Sequence, residues 1–208
     1  MLSGARPGTV VIDMSTIAPG ATRRMAAALG ERQVRMLDAP VTGGPAGAEA
    51  ATLTIMVGGE AAVLEEMRPI LGRLGRQIVH MGGHGAGQVA KACNQLALLV
   101  NAEGVAEALS LGKRCGLDPR VLREALLGGI AQSRVLEIFG ARMAERQFDP
   151  GMATRLYDKD LNIVLELARE IGQALPAASV VRTHIDEMMA RGEGPKDLAA
   201  LIQILERA

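Results

Sequence analysis

Apolar residues along the chain follow two different rhythms, and the change between them falls near residue 84. Before it, short β-branched runs alternate with stretches of helical spacing. Thr9-Val10-Val11-Ile12-Asp13, Val34-Arg35-Met36-Leu37-Asp38, Leu53-Thr54-Ile55-Met56-Val57 and Gln77-Ile78-Val79-His80-Met81 read as four strands. Residues 19–29 read as a helix, with Ser15 or Thr16 near its N-cap and Pro19 early in it. Pro40 and the Gly43-Gly44 pair end the second strand, and Gly58-Gly59 ends the third. Residues 60–74 then show helical spacing through Val63, Leu64, Met67, Ile70, Leu71 and Leu74.

From Gly85 onward the strand rhythm is gone. Residues 88–115 read as one long helix, ended by Gly116 and restarted at Asp118-Pro119, an N-cap followed by proline. Helices are predicted over 118–127, 133–145, 156–171, 177–191 and 196–206. Strands alternating with helices and then helices alone predict an α/β sheet followed by an all-α C-terminal domain, joined through the long helix. Gly82-Gly83-His84-Gly85 marks the boundary, giving domains 1–84 and 85–208. The chain begins just before a strand, so an exposed sheet edge and apolar face are expected there.

Composition narrows the function classes. The 208 residues carry 23 basic and 23 acidic side chains, and without a basic stripe nucleic acid and anionic membranes are poor partners. Phe139, Phe148 and Tyr157 are the whole aromatic complement, too few for recognition of bases by stacking. The two cysteines, Cys93 and Cys115, lie in helical patterns, as in a reduced cytoplasmic protein. The N-terminus is too polar for a signal peptide, and the longest apolar run, residues 96–100, is far short of a membrane span. A soluble cytoplasmic protein is expected, and the apolar long helix predicts a homo-oligomer.

Four short motifs carry chemistry. Gly85-x-Gly87-x-x-Ala90 formally matches a dinucleotide fingerprint, but the helix continues where a second strand and its acidic residue belong. Lys91 and Asn94 follow at i and i+3, so both side chains can address one small molecule; a solvated lysine is the plain alternative. Asp38-Ala39-Pro40-Val41-Thr42-Gly43-Gly44 sits at a strand end, where a hydroxyl and two glycine N–H groups can cradle a carboxylate or simply turn the chain. Asp13-Met14-Ser15-Thr16 offers hydroxyls at another strand end, or an ordinary N-cap. Lys159 lies at a helix entry and can reach a site or be solvated. His80, His84 and His184 have no metal-ligand spacing.

Taken in order and at their intervals, these motifs resemble the β-hydroxyacid dehydrogenase family. The residues that carry the resemblance are Asp13-Met14-Ser15-Thr16-Ile17-Ala18-Pro19, Asp38 through Gly44, Gly85 through Gln95, and Lys159-Asp160-Leu161. The Asn94-Gln95 pair and Phe148-x-Pro150-Gly151 are most similar to the tartronate semialdehyde reductase branch. The resemblance implies a partial Rossmann-type sheet, its second half only, with residues 1–84 the remnant of an NAD(P)-binding domain. Residues 85–208 would be the helical substrate and oligomerisation domain. It implies NAD or NADP as cofactor and reduction of a small semialdehyde acid of the 2-hydroxy-3-oxopropionate type, or oxidation of the corresponding 3-hydroxy acid. Lys91 would be the acid/base, Thr42, Gly43, Gly44 and Asn94 would bind substrate, and Thr16 and Lys159 would lie against the cofactor. Two departures stand out. Thr42 replaces the usual serine, and the N-terminal strand with its Gly-x-Gly-x-x-Gly loop is expected to be missing. A truncated, non-catalytic folding or oligomerisation module is the alternative.

Overall fold

Each of the four strand-forming runs forms a strand, and pairing along the third adds a fifth. The computed structural model describes residues 4–149 and 151–207. Its chain divides into two compact units, Met1–Asn94 and Gln95–Ala208. The first contains β1 (Val10–Asp13), α1 (Pro19–Gly30), β2 (Arg35–Asp38), β3 (Val41–Thr42), α2 (Gly44–Glu49), β4 (Leu53–Gly59), α3 (Ala61–Leu71) and β5 (Gly75–Gly82). The sheet is mixed. β1 runs parallel to β2, β4 is antiparallel to both β2 and β3, and β5 is parallel to β4.

β2 and β3 are one path along β4, interrupted at Ala39-Pro40. Proline has no N–H to give the ladder, yet its carbonyl accepts from Met56 N at 2.9 Å, and Ala39 N donates to Asp13 O at 2.7 Å. The second strand ends before Pro40 as expected, but the path then resumes as an unforeseen β3 and turns at Gly43 into α2. The apolar residues of the strand runs meet as predicted, with Leu37, Ile55, Val57, Leu64 and Leu71 packed in one cluster. β1 is the end strand of the order, pairing only with β2 among the described residues. Beside it, Val11, Ile17, Ala21, Met25, Leu29 and Met36 line much of an apolar groove of about 680 Å³.

One correction concerns α1. Its N-cap is Ala18, with no side-chain cap bond and Pro19 in the first turn. Ser15 and Thr16 precede the N-cap residue by three and two positions.

α4 (Ala86–Arg114) begins in the first unit and continues through the second. The second unit is otherwise α5 (Pro119–Leu127), α6 (Arg134–Ala144), α7 (Thr154–Glu170), α8 (Pro176–Ala190) and a 3₁₀ turn, Leu198–Leu201, leading into α9 (Ile202–Arg207). Leu99, Ala106 and Leu109 of α4 pack with Leu136, Met143, Leu161 and Ile185 in an almost wholly aliphatic core. Its aromatic contribution is the edge-to-face pair Phe139–Tyr157, with centroids 6.2 Å apart. Asp118 caps α5 by accepting from Arg120 N at 2.8 Å. Ser133 caps α6 by accepting from Leu136 N at 3.0 Å. Pro150 of the Phe148-x-Pro150-Gly151 motif lies outside the described residues. Among the described residues no helix is long and apolar enough to cross a membrane.

Removing a cap hydroxyl leaves a helix N–H without its partner. Ser133→Ala is expected to cost about 1 kcal/mol, read as a lower urea midpoint at unchanged m-value.

Candidate active site

Two strand ends converge on the start of α4. Asp38, the last residue of β2, is 0% exposed. Its Oδ1 accepts from Gly85 N at 2.8 Å and its Oδ2 from Gln88 N at 3.1 Å. The first N–H groups of a helix have no intrahelical partner and form the positive end of its dipole, so a carboxylate answers both needs.

The glycines of this turn serve the same approach. A Cβ on Gly87 would lie 2.5 Å from Met56 O and 2.9 Å from Asp38 O. The backbone that Gly87 admits is therefore the chain's own β2 and β4. Carbonyl and carboxylate oxygens surround this position, and they repel phosphate. The N–H groups of Gly85 and Gln88, which a nucleotide loop would turn toward phosphate, are taken by Asp38 instead.

Gln88 ties in the end of β1. Its Nε2 donates to Ser15 O at 2.7 Å, and its Oε1 accepts from Ile17 N at 3.2 Å. Ser15 N donates back to Asp13 Oδ1 at 3.0 Å. Thr16, half-buried, sits in the middle of this held turn.

Lys91 follows one turn along α4 and is 8% exposed. The solvated lysine of the plain alternative is thereby ruled out: an ammonium is kept from bulk water here, where it persists only among compensating polar groups. Asn94 is half-buried on the same helix. Thr42 ends β3 opposite Thr54, half-buried, and Gly43 and Gly44 are exposed at the opening of α2. Gly43 has φ 136° and Gly44 has φ 65°. The turn needs glycine at the first of these, because a φ of 136° is strained for any L side chain.

Lys159 belongs to the second unit, on α7. Its Nζ lies 2.8 Å from Asp160 Oδ1, and Asp160 Oδ2 accepts from Gln95 Nε2 at 2.5 Å. Burial, with the Asp197 and Asp160 carboxylates nearby, pushes the Tyr157 phenol far above its usual range, so it stays protonated. The histidines are occupied elsewhere: His80 bonds Gly59 O at 2.8 Å, His84 bonds Met36 O at 3.0 Å, and His184 bonds Glu103 Oε1 at 2.8 Å. No group of three or more potential metal ligands occurs among the described residues.

Thr16, Lys91 and Asn94 are thus joined to one framework, the start of α4 with its strand-end anchors. Thr42, Gly43 and Gly44 lie one short strand past Asp38 on the same chain path. Sequence reasoning quoted Asp38 and Gln88 without giving either a task. The available signal was a carboxylate closing an apolar strand and a glutamine among the apolar residues of a helix.

Residues 85–205 match the family described as the NAD-binding of NADP-dependent 3-hydroxyisobutyrate dehydrogenase. Residues 1–83 match the NAD binding domain of 6-phosphogluconate dehydrogenase. The 2-hydroxy-3-oxopropionate reductase of Escherichia coli K12 is 42% identical over 199 residues, covering 96% of this chain and 68% of that protein. The NAD-dependent L-serine dehydrogenase of Pseudomonas aeruginosa is 38% identical, over 99% of this chain and 72% of that protein. The crystal structure of Mycobacterium tuberculosis 3-hydroxyisobutyrate dehydrogenase with L-serine superposes with a TM-score of 0.90 at 34% identity, covering 100% of this chain and 73% of that one. An NAD(P)-binding sequence was expected at the N-terminal end, and the family match over residues 1–83 agrees with it. Sequence of an NAD-binding domain fills those residues, although they contain no Gly-x-Gly-x-x-Gly.

Proposed function

The chain belongs to the 3-hydroxyisobutyrate dehydrogenase family of NAD(P)-dependent 3-hydroxyacid dehydrogenases and reductases, and on that premise we propose that it reduces a small semialdehyde acid of the 2-hydroxy-3-oxopropionate type, or oxidises the corresponding 3-hydroxy acid. The observation that carries this proposal is Lys91, kept at 8% exposure one turn past a helix start anchored to two strand ends. The similarity to 2-hydroxy-3-oxopropionate reductase supports the choice of substrate.

NAD or NADP, when bound, supplies or accepts the hydride. The residues present fit its reactive end. Thr16 offers a half-buried hydroxyl at the C-terminal end of a strand, the side on which open α/β sheets bind nucleotides. Thr16 and Lys159 are the proposed cofactor contacts. Lys91 Nζ gives a proton to the substrate carbonyl oxygen as that atom becomes a hydroxyl, and takes it back in the oxidation direction. Asn94 hydrogen-bonds the substrate beside it. The Thr42 hydroxyl and the N–H groups of Gly43 and Gly44 hold the carboxylate. Residues 1–84 serve the cofactor in this scheme, while 85–208 carry the acid/base and self-association.

The substrate assignment is tested by comparing kcat/KM for 2-hydroxy-3-oxopropionate reduction with L-serine and 3-hydroxyisobutyrate oxidation. The semialdehyde is expected to lead; a clear preference for either alcohol overturns it. Thr42→Ala removes one hydrogen bond to a charged group, worth about 1.5–3 kcal/mol. KM for the acid is therefore expected to rise about tenfold or more, with KM for NAD(P)H unchanged and recovery in Thr42→Ser.

A further inference from the structure

We propose that Gln88 is a positioning residue, whose carboxamide fixes the Ser15-Thr16-Ile17 turn, and with it the Thr16 hydroxyl, against the start of the helix that carries Lys91. This rests on Thr16 being a cofactor contact.

Gln88 is 1% exposed. A buried carboxamide is costly unless both of its ends are bonded, and here both are spent on backbone groups flanking Thr16. The donor end holds Ser15 O and the acceptor end holds Ile17 N–H, across 73 and 71 residues of sequence. The anchor is itself held, because the Gln88 backbone N–H bonds Asp38 Oδ2. The helix that follows, α1, has Ala18 as its N-cap and no side-chain cap bond from it. A side chain needed only to fill space here would be apolar, like its neighbours Val89 and Ala90. A two-ended amide instead selects one conformation of the turn, and the hydroxyl between its two bonds takes the direction they set. Small misplacements of a positioned group cost binding or rate out of proportion to their size.

Gln88→Met keeps the length of the side chain and loses both bonds. Gln88→Glu keeps the acceptor for Ile17 N–H but sets a carboxylate oxygen against Ser15 C=O. Both are compared with Thr16→Ala in steady-state kinetics with saturating hydroxy or semialdehyde acid, and by hydrogen exchange at the Ile17 amide. Gln88→Met is expected to raise KM for NAD(P)H about tenfold, with kcat within about threefold, and to deprotect Ile17 N–H. Thr16→Ala is expected to raise the same KM. A purely structural role would instead lower the active fraction, and so kcat, at unchanged KM. If Thr16→Ala raises KM and Gln88→Met does not, the positioning role is overturned while the cofactor contact stands. If Thr16→Ala leaves KM unchanged, the Thr16 contact is wrong and this proposal falls with it. Should Gln88→Met fail to fold, an unchanged KM in Gln88→Glu overturns the role and a raised one supports it.

Discussion

Lys91→Ala is expected to abolish turnover while leaving affinity for NAD(P)H within about twofold. A positioned general acid contributes about 10² to 10⁴ in rate, and no other ammonium or imidazole on α4 near this point can substitute; Lys113 lies far along the helix and pairs with Glu206 at 2.8 Å. Because Lys91 is 8% exposed, its removal can also unbalance the polar groups around it, so the melting temperature is read beside kcat to separate loss of rate from loss of protein. Lys91→Arg should be nearly as inactive, because a guanidinium keeps the charge but does not yield its proton. The measurements are kcat in the reduction direction and cofactor binding by fluorescence. A kcat within threefold of the parent enzyme would remove Lys91 from the mechanism.

Gly87→Ala is expected to do comparable damage by a different route. Its added methyl would stand 2.5 Å from Met56 O and 2.9 Å from Asp38 O. Both are backbone atoms of a paired sheet and cannot swing aside as a side-chain end can. The start of α4 has to lift away, which lengthens the bonds from Gly85 N and Gln88 N to Asp38. Overpacking of this kind costs about 1–3 kcal/mol, and the lost carboxylate bonds add to it. The expected fall in melting temperature is about 5–10 °C, together with a lower kcat because Lys91 rides on the displaced turn. Gly104 is the internal control. It lies on the same helix, and a Cβ added there would meet nothing within 4 Å, so Gly104→Ala should be neutral or stabilising by up to about 1 kcal/mol. Equal melting temperatures for the two variants would refute the close-approach explanation of Gly87.

The features legible in the sequence were those fixed locally. The four strand runs, the long helix after Gly85 and the cap at Asp118 each depend on neighbouring residues, and each formed where expected. β3 was not legible because two residues carry no period; Val41 and Thr42 are a strand only because β4 lies opposite, pairing them with Ile55 and Thr54. α2 was hidden by a Gly-Pro-Ala-Gly composition that reads as a turn. Ser15 and Thr16 misled in the opposite sense. They are good capping residues close to a helix, but Pro19 in the first turn sets the cap at Ala18.

The site divides the same way. Lys91, Asn94 and the Thr42-Gly43-Gly44 turn were candidates by residue type and spacing, and the family resemblance gave them their proposed roles. The tasks of Asp38 and Gln88 did not, because their partners lie 47 to 73 residues away. No window of sequence reports which backbone groups a buried carboxylate or amide will meet. Burial shows that both must be satisfied, and the fold shows by what.

The capping of α4 by Asp38 also has a meaning for the order in which the chain folds. Most helices close their first turn with a residue next to them, as α5 and α6 do. α4 waits for a carboxylate 47 residues earlier in the chain, and closing so long a loop carries an entropic cost that local helix formation does not. Its middle can coil as soon as the chain collapses, while the turn leading to Lys91 gains its partner only once β2 is in place. The proposed acid/base, Lys91, thus sits at the end of α4 whose first turn depends on strand pairing.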